Sequence, residues 1–142
     1  MKNDPIVIQR NFNAPVTKVW QAITDQEQMK LWYFDNIPEF KAEPGFITQF
    51  NVHHNGRDYL HIWKVTEAEP LKKISYEWKY GGYPGNSFVT FELTPEGDTT
   101  TLTLTHEGLE TFLPDINPGV ERKNFVEGWT AIIGMSLKKF VE

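Results

Sequence analysis

The stretch Phe12-Asn13-Ala14-Pro15-Val16-Thr17-Lys18-Val19-Trp20-Gln21-Ala22-Ile23-Thr24 decides the fold. Ile6 and Ile8 lead into it as a strand, because β-branched side chains suit a pleated backbone. Beyond Pro15 the period changes: Val16, Val19, Trp20 and Ile23 fall at i, i+3, i+4 and i+7, one face of a helix. A proline in the first helical turn sacrifices no hydrogen bond, so the strand gives way to a helix at residue 15.

Working outward, Asp25 with Gln28 three residues on forms a capping box for a second short helix carrying Met29, Leu31 and Trp32. That helix must stop before Asn36-Ile37-Pro38, since the residue before a proline is pushed out of the helical region. Asn55-Gly56 signals a two-residue hairpin turn and sets a register, with Val52 opposite Tyr59, Phe50 opposite His61 and Phe46 opposite Val65. One face then carries Phe46, Phe50, Val52, Tyr59, His61, Trp63 and Val65; the other is wetter, with Gln49, Asn51, His53, Asp58 and Lys64, although Leu60 and Ile62 also lie on it. Ile74, Tyr76 and Trp78 alternate with Ser75 and Glu77 as a further strand, which runs into the turn-rich loop Gly81–Asn86. A hairpin turning at Pro95–Asp98 aligns Val89, Phe91 and Leu93 with Leu102, Leu104 and His106, and puts Thr99, Thr101, Thr103 and Thr105 opposite. After a loop holding Phe112-Leu113, Asn117 is expected to cap and Pro118 to start a long last helix. Its stripe is Phe125, Trp129, Ile132, Ile133, Leu137, Phe140 and Val141, which needs the sheet as partner. Gly128 and Gly134 within it allow close packing, the plainer reading, or room for a ligand. The order of elements predicts an α+β helix-grip fold: a curved antiparallel sheet and two short N-terminal helices wrapped around one long C-terminal helix.

Length and composition narrow the function. At 142 residues the chain is read as one domain, 1–142, able to bury ~68–70% of its unfolded surface. No cysteine occurs, and Met1-Lys2-Asn3-Asp4-Pro5 leads into a strand without an apolar signal region, so a cytoplasmic location is expected. A net charge of -5 with no basic patch argues against nucleic acid, and no apolar run reaches the ~20 residues of a membrane span. Aromatic residues make up 14% of the chain, enough to fill a core or line a cavity.

Three groups of motifs carry a family resemblance. The opening is Phe12-x-Ala14-Pro15-x-x-x-Val19-Trp20-x-Ala22-x-Thr24, followed by Trp32 and Pro44-Gly45-Phe46. The middle is Val65-x-Glu67-x-x-Pro70-x-x-x-Ile74-x-Tyr76-x-Trp78. The end is Leu102-x-Leu104-Thr105-His106-x-Gly108, then Gly128-Trp129 and Leu137. In order and spacing these resemble the START/SRPBCC helix-grip superfamily, in its branch similar to the activator of heat-shock-protein-ninety ATPase. The resemblance implies a sheet gripping the long helix with a cavity between. The chain departs from the chaperone activator in lacking a separate N-terminal domain, which disfavours co-chaperone activity.

Among candidate groups, His53 and His54 point to opposite faces of a strand and cannot easily share a metal ion, so none is expected. His61 and His106 lie on apolar faces, where an imidazole needs a hydrogen-bond partner: core packing is the plainer reading, ligand contact the alternative. No Ser/His/Asp constellation can be placed around Ser75, Ser87 or Ser136. Gly81-Gly82-Tyr83-Pro84-Gly85 lacks the lysine and helix of a phosphate loop, so no nucleotide or other cofactor is expected and no catalytic residue is assigned. The reading is therefore a domain that binds one small, mostly apolar molecule. Its site is expected to hold Trp78, Phe91, Leu104, Phe125 and Trp129, with His61, Tyr76 and His106 as polar anchors. The cavity should span ~300–1,000 Å³ and open past Gly81–Asn86 and Phe112-Leu113. Two alternatives stand: a co-chaperone-like interaction domain, with a chaperone or a second copy as partner, or a cyclase- or hydratase-like enzyme.

Overall fold

The computed structural model describes residues 4–54 and 56–142. Six strands form one antiparallel sheet: β1 (Ile6–Phe12), β2 (Ile47–His54), β3 (Arg57–Glu69), β4 (Lys73–Tyr80), β5 (Ser87–Glu96) and β6 (Thr99–Glu107). Their order is β1-β6-β5-β4-β3-β2. Two short helices, α1 (Val16–Thr24) and α2 (Gln26–Trp32), carry the chain from the β1 edge to the β2 edge. A C-terminal helix then lies over the inner face, as α3 (Arg122–Ala131), a π-helical segment (Ile132–Leu137) and α4 (Lys138–Val141). This is the α+β helix-grip fold that the order of motifs predicts.

Local chemistry explains the elements. Pro15 is extended at φ -70, ψ 157, and its carbonyl accepts from the Lys18 and Val19 amides. α1 therefore begins one residue later than the proline, and it buries Val19, Ala22 and Ile23. Asp25 does precede α2, but its side chain makes no cap bond; the Gln26 amide instead ties back to the Ile37 carbonyl at 2.8 Å. The β2–β3 register is the expected one, with His54 opposite Arg57 and Phe50 opposite His61. Asn55 lies outside the described residues; Gly56 has φ +77, the left-handed value a primed turn demands. A bulge between Val65 and Glu67 bends β3, and with it the sheet.

The C-terminal region departs from expectation. Pro118 opens only a single 3₁₀ turn (Pro118–Val120), and α3 starts at Arg122. Asn117 does not cap forward: its amide donates backward to the Phe112 carbonyl at 3.1 Å, and Glu121 is extended, so the helix cannot begin before it. Further on, Trp129, Ile133, Leu137 and Val141 are all buried. A spacing of four drifts by about 40° per step around a straight α-helix. The wider turn of the π segment offsets that drift and keeps the four side chains on the sheet.

Candidate functional site

Between the inner face of the sheet and the C-terminal helix lies a cavity of about 210 Å³. Alternation along the strands supplies one side of it. Val52 and His54 come from β2, Tyr59 and His61 from β3, and Trp78 and Tyr80 from β4. Phe34, just after α2, and Ile132 add apolar wall. The helix side is Gly119, Asn124, Phe125, Gly128 and Trp129. A Cβ built on Gly128 would meet nothing within 4 Å, so this glycine leaves open space and not a close backbone contact. Gly134 is different, with the Arg10 guanidinium Nε 3.5 Å from where its Cβ would stand.

Of the eight residues expected at the site, His61, Trp78, Phe125 and Trp129 line the cavity together. Tyr76, Phe91, Leu104 and His106 are buried on the same inner face but do not reach it. Each is covered or already engaged. The Tyr76 hydroxyl shares a 2.7 Å hydrogen bond with that of Tyr33, and Phe91 packs edge-on to Trp129 at 6.0 Å between ring centres. Leu104 sits beside Phe91 on the neighbouring strand, at the same depth. His106 is locked in a chain of bonds described below.

The opening also lies elsewhere than expected. None of the residues of Gly81–Asn86 or Phe112-Leu113 lines the cavity; its outer residues are His54, Gly119 and Asn124. The expected route is shut because Thr111 Oγ1 clamps the two segments together. It accepts from the Asn86 amide at 2.9 Å, a Cβ at Gly85 would run into the Thr111 carbonyl, and Tyr80, Phe112 and Phe125 fill the space behind. The cavity is smaller than the ~300 Å³ at which small-molecule sites usually begin. A second concavity, of about 670 Å³, lies outside, where Leu109–Ile116 meets Glu121, Arg122 and Lys123, and its walls carry charge.

The buried polar groups fall into two sets. In the first, Trp129 Nε1 donates to His106 Nδ1 at 3.0 Å. His106 Nε2 must then carry the proton, and it donates to Ser87 Oγ at 2.8 Å. Ser87 Oγ in turn donates to the Trp78 carbonyl at 2.6 Å. Every member is satisfied, and burial holds the His106 imidazole down at about 3, so it is neutral and structural.

His61 forms the second set. Its Nδ1 lies 2.9 Å from the Tyr59 carbonyl, which can only accept, so Nδ1 carries the proton and Nε2 is a bare lone pair. Burial lowers its pKa to about 4, outweighing the opposite effect of the Tyr59 carbonyl. Beside it the Trp78 indole donates to the Tyr80 hydroxyl at 2.8 Å, and burial raises the Tyr80 pKa. Deeper in, the Trp63 indole N–H is fully buried with no hydrogen-bond partner. His53 and Asp58 sit on the outer face and pair there at 2.8 Å, while His54 stands at the cavity rim. Among the described residues, no cluster of three or more His, Cys, Asp or Glu is placed to hold a metal ion, and no helix is long and apolar enough to cross a membrane.

Several sequence signals pointed at residues not counted in the site. Val52 and Tyr59 share the inner face with His61, and Tyr80 continues the alternation of Tyr76 and Trp78 by one step. Phe34, Gly119 and Asn124 lie on segments with no period to read.

Known structures share this fold. Protein CV1439 from Chromobacterium violaceum superposes with a TM-score of 0.80 at 21% identity, covering 100% of this chain and 99% of its own. Protein MLL2253 from Mesorhizobium loti gives 0.74 at 25% identity, with 96% of each chain covered. DynU16, from the dynemicin biosynthetic locus, gives 0.76 at 23% identity, over 96% of this chain and 46% of its own. No curated protein matches the chain. The sequence model of the activator of Hsp90 ATPase homolog 1-like proteins matches residues 13–142, from the turn before α1 through the whole C-terminal helix. The chain belongs to that family, on the START/SRPBCC helix-grip fold.

Proposed function

We propose that the protein binds one small, mostly apolar molecule in the cavity between β2, β3 and β4 and the C-terminal helix. The observation that carries this reading is Gly128. A glycine inside a helix costs roughly 1 kcal/mol against alanine, yet no neighbouring atom requires one here, and the space it leaves is part of the cavity. The walls are mostly aromatic, and a single buried imidazole offers a polar contact, the mix that small-molecule sites use. The cavity has little spare volume, so the ligand is small or displaces Phe34, which is only half-buried.

The outer face gives less support to a protein partner. Its apolar side chains are separated by polar neighbours: Phe88 stands between Glu77 and Glu107, and Val7 lies beside Thr105. The test is to titrate lipophilic fluorescent probes into the wild type and a Gly128→Leu variant. Binding that is lost in the variant, with an unchanged far-ultraviolet spectrum, supports the cavity as the site. Equal binding by both proteins places the probes elsewhere and removes the support that Gly128 provides.

A further inference from the structure

His61 presents an unmet demand to the cavity. Its Nδ1–H is committed to the Tyr59 carbonyl at 2.9 Å, so the ring cannot turn Nε2 into a donor without giving up that bond. The ring is 5% exposed and lines the cavity. It is surrounded by the rings of Phe34, Phe50, Trp78 and Tyr80, with centres 5.2, 5.2, 5.2 and 4.9 Å away. None of these donates to Nε2, and the one indole N–H among them is taken by the Tyr80 hydroxyl. No hydrogen bond joins Nε2 to any described residue. Unlike Trp63 Nε1, which lacks a partner and is fully enclosed, Nε2 opens onto the cavity. There water or a ligand can supply the donor whose want costs a secluded acceptor about 1–3 kcal/mol.

Charge narrows the class further. No Asp, Glu, Lys or Arg lines the cavity, and His61 itself is neutral at pH 7 because burial holds its pKa near 4. An anion would meet the Nε2 lone pair with no cation among the lining side chains to offset the repulsion, the Arg57 guanidinium standing only at the rim, 3.4 Å from where a Cβ on Gly119 would lie. A cation would find no carboxylate in the lining. Burying either kind of ion unpaired is strongly unfavourable.

We propose that His61 Nε2 acts as a one-way acceptor that selects uncharged aromatic molecules carrying a hydroxyl or N–H donor, over their methylated or ionised analogues. This rests on the ligand-binding reading above and adds to it the chemistry of the ligand. The flat walls supplied by Phe34, Trp78, Phe125 and Trp129 suit one or two fused rings, and the Nε2 acceptor, on the same wall as the Tyr59 and Tyr80 rings, favours the ligand edge that carries the donor turning toward it.

Three probes of nearly equal shape separate the alternatives: 2-naphthol, 2-methoxynaphthalene and 2-naphthoate. Each is titrated into the wild type and a His61→Phe variant, which keeps an aromatic ring but removes the acceptor. The wild type should bind naphthol about tenfold more tightly than the ether, the worth of one hydrogen bond, and more tightly than naphthoate. In His61→Phe, naphthol should fall to the level of the ether while the ether is unchanged. The comparison of naphthol with ether needs only the wild type, so it stands even if the variant fails to fold. If naphthol and ether bind the wild type equally, if naphthoate binds best, or if the preference survives in His61→Phe, the role given to His61 is wrong while ligand binding stands. If none of the three binds, the ligand-binding reading itself fails.

Discussion

Lowering the pH should destabilise this fold well before its carboxylates begin to protonate, because two imidazoles are buried neutral. His61 and His106 have folded pKa values of about 4 and about 3, both depressed by burial from 6.5. Above pH 6.5 both states leave these groups neutral, and stability does not depend on them. Below 6.5 the unfolded chain takes up two protons that the folded chain refuses. The unfolded state therefore gains with each step down, until the folded values are reached and the loss is complete. One pKa unit corresponds to about 1.4 kcal/mol, so between pH 7 and pH 5 each histidine removes about 2 kcal/mol and the pair about 4 kcal/mol. For a domain with a typical total of roughly 5–15 kcal/mol, that is a large fraction. Tyr80, packed against the His61 ring, does not titrate in this window, because burial pushes its phenol further upward. Asp58 and Glu142 are held low by His53 and Lys138, so their loss comes at more acid pH. Urea unfolding followed by tryptophan fluorescence at pH 7, 6 and 5 and constant ionic strength measures the effect. His61→Phe should lose about 2 kcal/mol less than the wild type over the same interval. A wild-type stability that changes by under about 1 kcal/mol from pH 7 to pH 5 would refute the assignment of two buried neutral imidazoles.

Two further outcomes follow from the polar groups of the core. Trp129→Phe should cost about 1–3 kcal/mol more than Trp63→Phe in urea unfolding, because the first leaves His106 Nδ1 without its donor and the second removes an N–H that has no partner. Ser87→Ala should cost about 1–3 kcal/mol by stranding His106 Nε2–H and the Trp78 carbonyl; combined with Trp129→Phe, the loss should be smaller than the sum, since both act on one chain of bonds.

What could be read from residues, and what could not, divides along the periodic and irregular parts of the chain. Strand pairing was legible because side-chain period and turn chemistry agree: Asn55-Gly56 and the alternation around it place Phe50 opposite His61. Alternation also says which side chains face inward, but not how far the covering layer descends on them. Tyr76, Phe91, Leu104 and His106 are inward and buried, yet Tyr33 and Trp129 come down over them. Tyr33 itself follows α2 in a backbone conformation of φ -105, ψ -89, which no period anticipates. The π segment was hidden for a related reason: its apolar residues fit a helix, and only their fourfold spacing over Trp129, Ile133, Leu137 and Val141 hints at a wider turn. Asn117-Pro118 misled because the same two residues serve a helix start and a 3₁₀ turn equally well, and the backward bonds of Asn117 decide between them.

The burial that makes His61 a fixed acceptor also bears on whether the cavity suits proton chemistry. A general base works best when its pKa is near the working pH. An imidazole held at about 4 would carry a proton only about one part in a thousand of the time at pH 7. In enzymes a carboxylate on the far nitrogen commonly steadies the imidazolium that forms; here that nitrogen faces the neutral carbonyl of Tyr59. A proton taken from a ligand onto Nε2 would leave an uncompensated cation among Phe34, Phe50, Trp78 and Tyr80. A hydrogen bond accepted at the same atom creates no charge and loses nothing to burial, being stronger in these surroundings than in water. His61 is thus better suited to holding and orienting a hydroxyl than to deprotonating it, which supports the proposed binding role over proton chemistry at this atom.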